Sequence, residues 1–105
     1  MIDLHRLRAA MPLALAFASA ALQAQDMTAA GSLAATCANC HGTNGQARGE
    51  MASLSGWPAD KTIAALDAFR SGAQPTTVMQ QIAKGYTDDQ LRLIAAYFAA
   101  QPAAR

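Results

Sequence analysis

This sequence has little with which to fill a core. Phe, Trp and Tyr make up only 6% of it, and alanine, with a single methyl to bury, supplies about half of the 52% that is hydrophobic. Two cysteines are too few for a dense disulfide framework. Charge is sparse and balanced: charged residues are 14%, with eight Lys plus Arg against seven Asp plus Glu. The absence of a long basic run points away from nucleic acid as a partner. No segment shows a convincing strand pattern. The chain is nevertheless too apolar for a disordered one, and its 105 residues make one small domain at most. A single domain with so thin a core needs hydrophobic mass from elsewhere.

Part of the apolar content is expected to leave the protein. Residues 1–24 read as a secretory leader, with His5, Arg6 and Arg8 as the basic start and Ala9–Leu22 as the apolar stretch. Leu22-Gln23-Ala24 offers a cleavage site after a small residue. The stretch contains Pro12 and falls short of the roughly 20 apolar residues of a spanning helix, so the only membrane contact expected is through this leader. What remains, Gln25–Arg105, carries equal numbers of cations and anions and one histidine, His41. A domain this small is marginal alone and ordinarily needs a staple: disulfides, a metal or a prosthetic group.

Periodicity predicts four helices. The first covers about Thr28–Ala38. The second follows Pro58, placed for a first turn, repeats Ile63, Leu66 and Phe69 on one face and stops at Gly72. The third is short, Thr77–Lys84, and is closed by Gly85. The fourth opens with Thr87-Asp88-Asp89-Gln90, a capping box, flanked by Tyr86 and Leu91 as a hydrophobic staple. Leu91, Ile94, Ala95 and Phe98 form its buried stripe, and Pro102 limits its end. Between the first two helices, His41–Trp57 holds four glycines and little periodicity. So long an irregular stretch in so small a domain is expected to wrap something.

Cys37-Ala38-Asn39-Cys40-His41 is the C-x-x-C-H pattern of covalent c-type haem attachment. Two thiols three positions apart at a helix end lie on one side of the chain and can add to the two vinyl groups of one haem; His41 follows at once as an axial iron ligand. Export agrees, since this haem is attached outside the cytoplasm. Three other readings are weaker. A Cys37–Cys40 disulfide closes a tiny loop and stabilises little. A thioredoxin-like pair needs a βαβ context that is missing. A structural zinc needs four ligands and finds three.

The sixth iron ligand must come from elsewhere, because no second histidine remains after the leader. Thioether ligation is the usual choice in electron-transfer cytochromes. Met27 precedes the motif. Met51 lies in the glycine-rich loop on a tether that would have to cross the ring. Met79 lies beyond the second helix, with enough chain to approach from the opposite side, and is the expected ligand; Met51, an open site and Lys84 remain as alternatives. Leu33, Leu54, Ile63, Leu66, Val78, Ile82, Ile94 and Phe98 are expected to meet the haem's apolar surface. Trp57, Tyr86 and Arg48 carry the donor types that hold propionates.

From about Ser32 to Gln101 the chain resembles a class I cytochrome c. Within that class it resembles the single-haem cytochrome subunits of flavocytochrome c sulfide dehydrogenases, of cytochrome c4 type. The marks are Cys37–Gly45 (CANCHGTNG), Ser53-Leu54-Ser55-Gly56, Ala68–Gly72, Val78-Met79 and Ile82–Asp88, while Gly56-Trp57-Pro58 departs from the pattern. The resemblance implies a small all-α fold around one haem, with the first and fourth helices crossing over it and Met79 as distal ligand. It also implies a periplasmic FAD-containing sulfide dehydrogenase subunit as partner: sulfide is oxidised at the flavin, and this chain carries electrons one at a time towards a downstream cytochrome or oxidase. With both axial positions filled, the chain is not expected to be an enzyme on its own. A free soluble shuttle and a haem-based ligand sensor are the rival functions.

Overall fold

The computed structural model describes residues 17–21 and 27–104. Most of the expected leader, including its cleavage site at Leu22–Ala24, lies outside the described residues; 17–21 form an exposed helical turn. Among the described residues there is no strand, and no helix is long and apolar enough to cross a membrane.

Four helices carry the domain. The first, α1, is helical over 27–41, through a 3-10 turn at Ala35–Cys37 and a last α-turn at Ala38–His41. It therefore runs past the expected end at Ala38 and takes the whole cysteine-histidine motif with it. It stops at Gly42, whose φ of 79° a side chain would strain and whose N–H reaches Ala38 O at 3.1 Å.

Helix α2, Ala59–Ser71, follows Pro58 as expected. Pro58 stands outside the first turn as the N-cap (φ −54°, ψ 135°), and its carbonyl accepts from the Lys61 and Thr62 amides. Gly72 ends α2 in the left-handed conformation, as expected. Helix α3, Met79–Lys84, begins two residues later than the pattern suggested. Val78 is its N-cap without a side-chain cap, and the Thr76 hydroxyl, just before it, accepts the Met79 amide at 3.3 Å. Gly85 closes α3 as expected, at φ −76°, which any residue adopts.

Helix α4, Asp88–Ala99, follows its local code. The Gln90 amide donates to Thr87 Oγ1 at 3.2 Å, and the Thr87 amide donates to Gln90 Oε1 at 2.9 Å. Leu91, Ile94, Ala95 and Phe98 are buried, and Tyr86 packs against the cluster that contains Leu91.

The packed centre joins α1 and α4. Ala34, Leu91, Ile94 and Phe98 form it, with Leu33, Cys37, Leu54, Leu66, Tyr86 and Tyr97 partly buried around them. Gly31 permits the approach, because a Cβ there would stand 3.2 Å from the Tyr97 ring. Two long-range hydrogen bonds tie the ends of the chain together: Thr36 Oγ1 with the Tyr86 hydroxyl at 2.7 Å, and the Tyr97 hydroxyl to Asn44 Oδ1 at 2.6 Å.

Helix α2 packs on α3 and α4. Arg70 links it to the start of α4, with Nη1 2.7 Å from Asp88 Oδ1 and Nη2 2.9 Å from Asp67 Oδ1. The hydrogen bond from Arg70, and then its charge, holds the Asp88 carboxyl below the usual carboxylate range. A depressed folded-state pKa means that this contribution is fully present above the ordinary carboxylate value and fades as pH falls through the depressed one. Asp88→Asn is therefore expected to flatten the acid limb of the stability curve while changing neutral-pH stability modestly, as exposed pairs do. Denaturant melts of both proteins down the acid range check this; parallel limbs would refute it.

Candidate functional site

The chemistry of the site starts at the C-terminal end of α1. Cys37 is half-buried against the core cluster, and Cys40, one helical turn on, is exposed. They are not joined to each other. Burial pushes the Cys37 thiol above its ordinary pKa, with a hydrogen bond from Thr36 opposing it. One thiol thus sits at the protein wall and the other faces outward, both on the motif's single turn.

His41 Nδ1 lies 2.6 Å from the Ala52 carbonyl. A carbonyl only accepts, so Nδ1 must carry the proton, which leaves the Nε2 lone pair to bind a metal. Such an outer partner fixes both tautomer and ring orientation in metal sites.

The acceptor is positioned by the glycine-rich segment. Thr43–Gly45 makes a 3-10 turn with Asn44 at φ 54°. The Gly45 carbonyl then accepts the Leu54 and Ser55 amides at 2.8 and 3.2 Å, and the Ala47 amide donates to Ser53 Oγ at 3.0 Å. The Gly56 amide reaches Phe98 O at 2.9 Å. The stretch expected to gain its order by wrapping something else is in good part ordered by hydrogen bonds to itself and to α4.

The apolar surface around this motif fits a large flat ligand. Helix α2 fully buries only Thr62, leaving Ile63, Leu66 and Phe69 half-covered. Val78 is 54% exposed, Ile82 41%, Met51 47% and Trp57 45%. Large side chains in a protein this poor in them would ordinarily be inside. Ile94 and Phe98, expected against the haem, are instead closed within the protein's own cluster, because α4 turns that stripe towards Ala34. The large apolar side chains left open belong to α2 and α3 with the loops that flank them.

The remaining candidates fall as follows. Met79 is the first residue of α3 and half-buried. Met51 is exposed and immediately precedes Ala52, whose carbonyl accepts the hydrogen bond from His41 Nδ1. Met27 is 44% exposed on α1, and Lys84 is exposed at the end of α3. Arg48 and Trp57 are exposed, whereas the Tyr86 hydroxyl is engaged by Thr36 beside Cys37. Sequence reasoning did not point to Ala52, Ser53 or Thr36. The first acts through its backbone carbonyl, which no residue type announces.

A helical domain whose C-x-x-C-H turn ends in a histidine with Nδ1 held by a carbonyl and Nε2 left to bind a metal, and whose other helices leave apolar side chains uncovered, defines a c-type cytochrome. The comparisons agree. Residues 24–98 match the family described as cytochrome c oxidase, cbb3-type, subunit III, and the chain belongs to that family of cytochrome c domains, carrying covalent haem c with its iron.

Over 66 residues the chain is 41% identical to the cytochrome subunit of sulfide dehydrogenase of Chlorobaculum tepidum, covering 63% of this chain and 60% of that one. It is 39% identical over 72 residues to the thiosulfate dehydrogenase electron acceptor of Stutzerimonas stutzeri, covering 67% of this chain and 33% of that one. The solved Acidithiobacillus ferrooxidans cytochrome c4 superposes with a TM-score of 0.58 at 38% identity, over 61% of this chain and 37% of that one. The chain thus spans between about a third and three-fifths of the length of these relatives. The small class I cytochrome c fold expected from the sequence, and an electron-carrier family, are both established.

Proposed function

We propose that this chain is the electron-accepting cytochrome subunit of a periplasmic sulfide dehydrogenase, exported by residues 1–24 and docked on an FAD-containing subunit. The likeness to the Chlorobaculum tepidum cytochrome subunit carries this reading. Cys37 and Cys40 attach the haem through thioethers, and His41, its ring set by the Ala52 carbonyl, ligates the iron through Nε2. Met79 supplies the distal sulfur; Met51 is disfavoured because it adjoins the carbonyl that holds His41 and so belongs to the histidine side. Arg48 and Trp57, both exposed, are the propionate donors; Tyr86 serves to join α1 to the start of α4 through Thr36. The bound haem supplies a one-electron ferric/ferrous couple. The protein excludes substrate from the iron by filling both axial positions, so the chain alone turns nothing over, and electrons leave for a downstream cytochrome or oxidase.

A second reading is favoured by the likeness to the Stutzerimonas stutzeri electron acceptor: a free shuttle that serves an oxidase or reductase without a permanent flavoprotein partner. Purification of the untagged complex from its source separates the two. The subunit reading expects a haem and a flavin spectrum in one peak, haem reduction on adding sulfide, and a mature chain beginning at Gln25. A lone haem peak that sulfide leaves oxidised would discard it in favour of the shuttle.

A further inference from the structure

The hydrogen bond that orients His41 is received by a residue with no packing to hold it. Ala52 is exposed, as are all of 48–51 before it. A carbonyl on such a segment would ordinarily wander, yet it stands 2.6 Å from His41 Nδ1. Its restraint comes from the neighbouring residues. The Leu54 amide is fixed to the Gly45 carbonyl at 2.8 Å on the far side. On the near side the Ser53 hydroxyl accepts the Ala47 amide at 3.0 Å, a part-buried contact that closes the neck of the loop between 47 and 53.

We infer that Ser53 is a positioning residue for the iron ligand: its hydroxyl clamps the 47–53 loop and so holds the Ala52 carbonyl against His41. Serine is suited to this place because a hydroxyl oxygen can accept an amide proton from across the loop, which no apolar side chain can. This rests on His41 being the proximal ligand. A firm Nδ1–H···O=C bond makes Nε2 a stronger donor to iron, and stronger donation favours the ferric state. Opening the clamp lengthens the free loop, loosens the carbonyl and weakens the donation. The reduction potential is then set partly by a serine two residues removed from any contact with the iron.

The test uses the holoprotein with Ser53→Ala and Ser53→Thr. In Ser53→Ala the reduced-to-oxidised ratio at a fixed electrode potential is expected to rise about threefold, below the roughly tenfold or greater effects of deleting an outer partner outright. For a one-electron couple that is about +28 mV. Exchange of the His41 ring N–H, followed by nitrogen-15 NMR, is expected to quicken in the same variant. Ser53→Thr, which keeps the hydroxyl, restores both. A merely structural serine would lower the melting temperature and leave potential and ring exchange where they were; that result overturns the inference, as does a threonine variant that behaves like alanine. Should Ser53→Ala fail to mature, the wild type decides: the Ala47 amide and the His41 ring N–H must open together across denaturant concentrations, and independent opening refutes the clamp. Failure of the ligation reading looks different, because wild-type protein would then lack a low-spin histidine-ligated ferric spectrum from the outset.

Discussion

Met79→Ala is expected to lower the reduction potential by on the order of 0.1–0.2 V, a fraction of the roughly 0.8 V range that axial ligands command. A thioether stabilises ferrous iron relative to water or a harder donor, so its loss shifts the couple towards ferric. The same variant should lose the methionine-to-iron charge-transfer band and bind carbon monoxide rapidly when reduced. Met79 opens α3, and its amide donates to the Thr76 hydroxyl at 3.3 Å, which ties the start of that helix to the preceding loop. Met51 follows a different logic. It precedes the residue whose carbonyl accepts the His41 hydrogen bond, so Met51→Ala should leave potential and band unchanged. Spectroelectrochemistry of the two variants checks the assignment, and it reverses if Met51→Ala alone moves the potential. Carbon monoxide binding to the unaltered protein, without the charge-transfer band, would favour the sensor reading.

Removing the haem should cost the fold itself. Among the described residues the fully buried apolar set is Ala30, Ala34, Ala83 and Ala95, with only Leu91, Ile94 and Phe98 as large members. Those three pin α4 to α1, and of the apolar stripe on α2 only Leu66 packs against their cluster. Ile63, Leu66 and Phe69 of α2 are half-covered, while Val78 and Ile82 are largely open, so their burial depends on a group the polypeptide does not contain. A domain of this size buries only about 60% of its unfolded surface even when well packed. Apoprotein, or the double variant Cys37→Ala with Cys40→Ala, is therefore expected to lose most of its helical circular dichroism and to melt without cooperativity. Native-like ellipticity with a sharp transition in the absence of haem would show the α1–α4 cluster to be sufficient. Cys40→Ala alone should impair haem retention strongly, since the exposed Cys40 has no packing to substitute for its thioether.

The α4 helix shows how far local code reaches. Thr87 and Gln90 make the reciprocal bonds their spacing demands, and the stripe Leu91, Ile94, Ala95 and Phe98 is buried as its period requires. Gly72 stops α2 in the left-handed conformation that glycine adopts most readily. Where local signals were weaker, α1 ran on to His41, α3 began only at Met79, and two expected end residues acted in other ways. Pro58 caps α2 from outside the helix, and Gly85 closes α3 without needing glycine's freedom. The stripe on α4 was legible, but not what it would meet: Phe98 and Ile94 pack on Ala34 because Gly31 and Tyr97 set the crossing of α1 and α4, and that contact joins the two ends of the domain.

The attachment chemistry was determined by the sequence alone. Cys37, Cys40 and His41 lie within five consecutive positions, and a motif that short brings its groups together whatever the rest of the chain does. The carbonyl that meets the histidine, the hydroxyl that clamps its loop and the tyrosine that ties α1 to α4 were decided only by the tertiary structure. Each joins a backbone atom or a common side chain to a partner made close by chain closure, and residue types carry no record of which distant segments will meet.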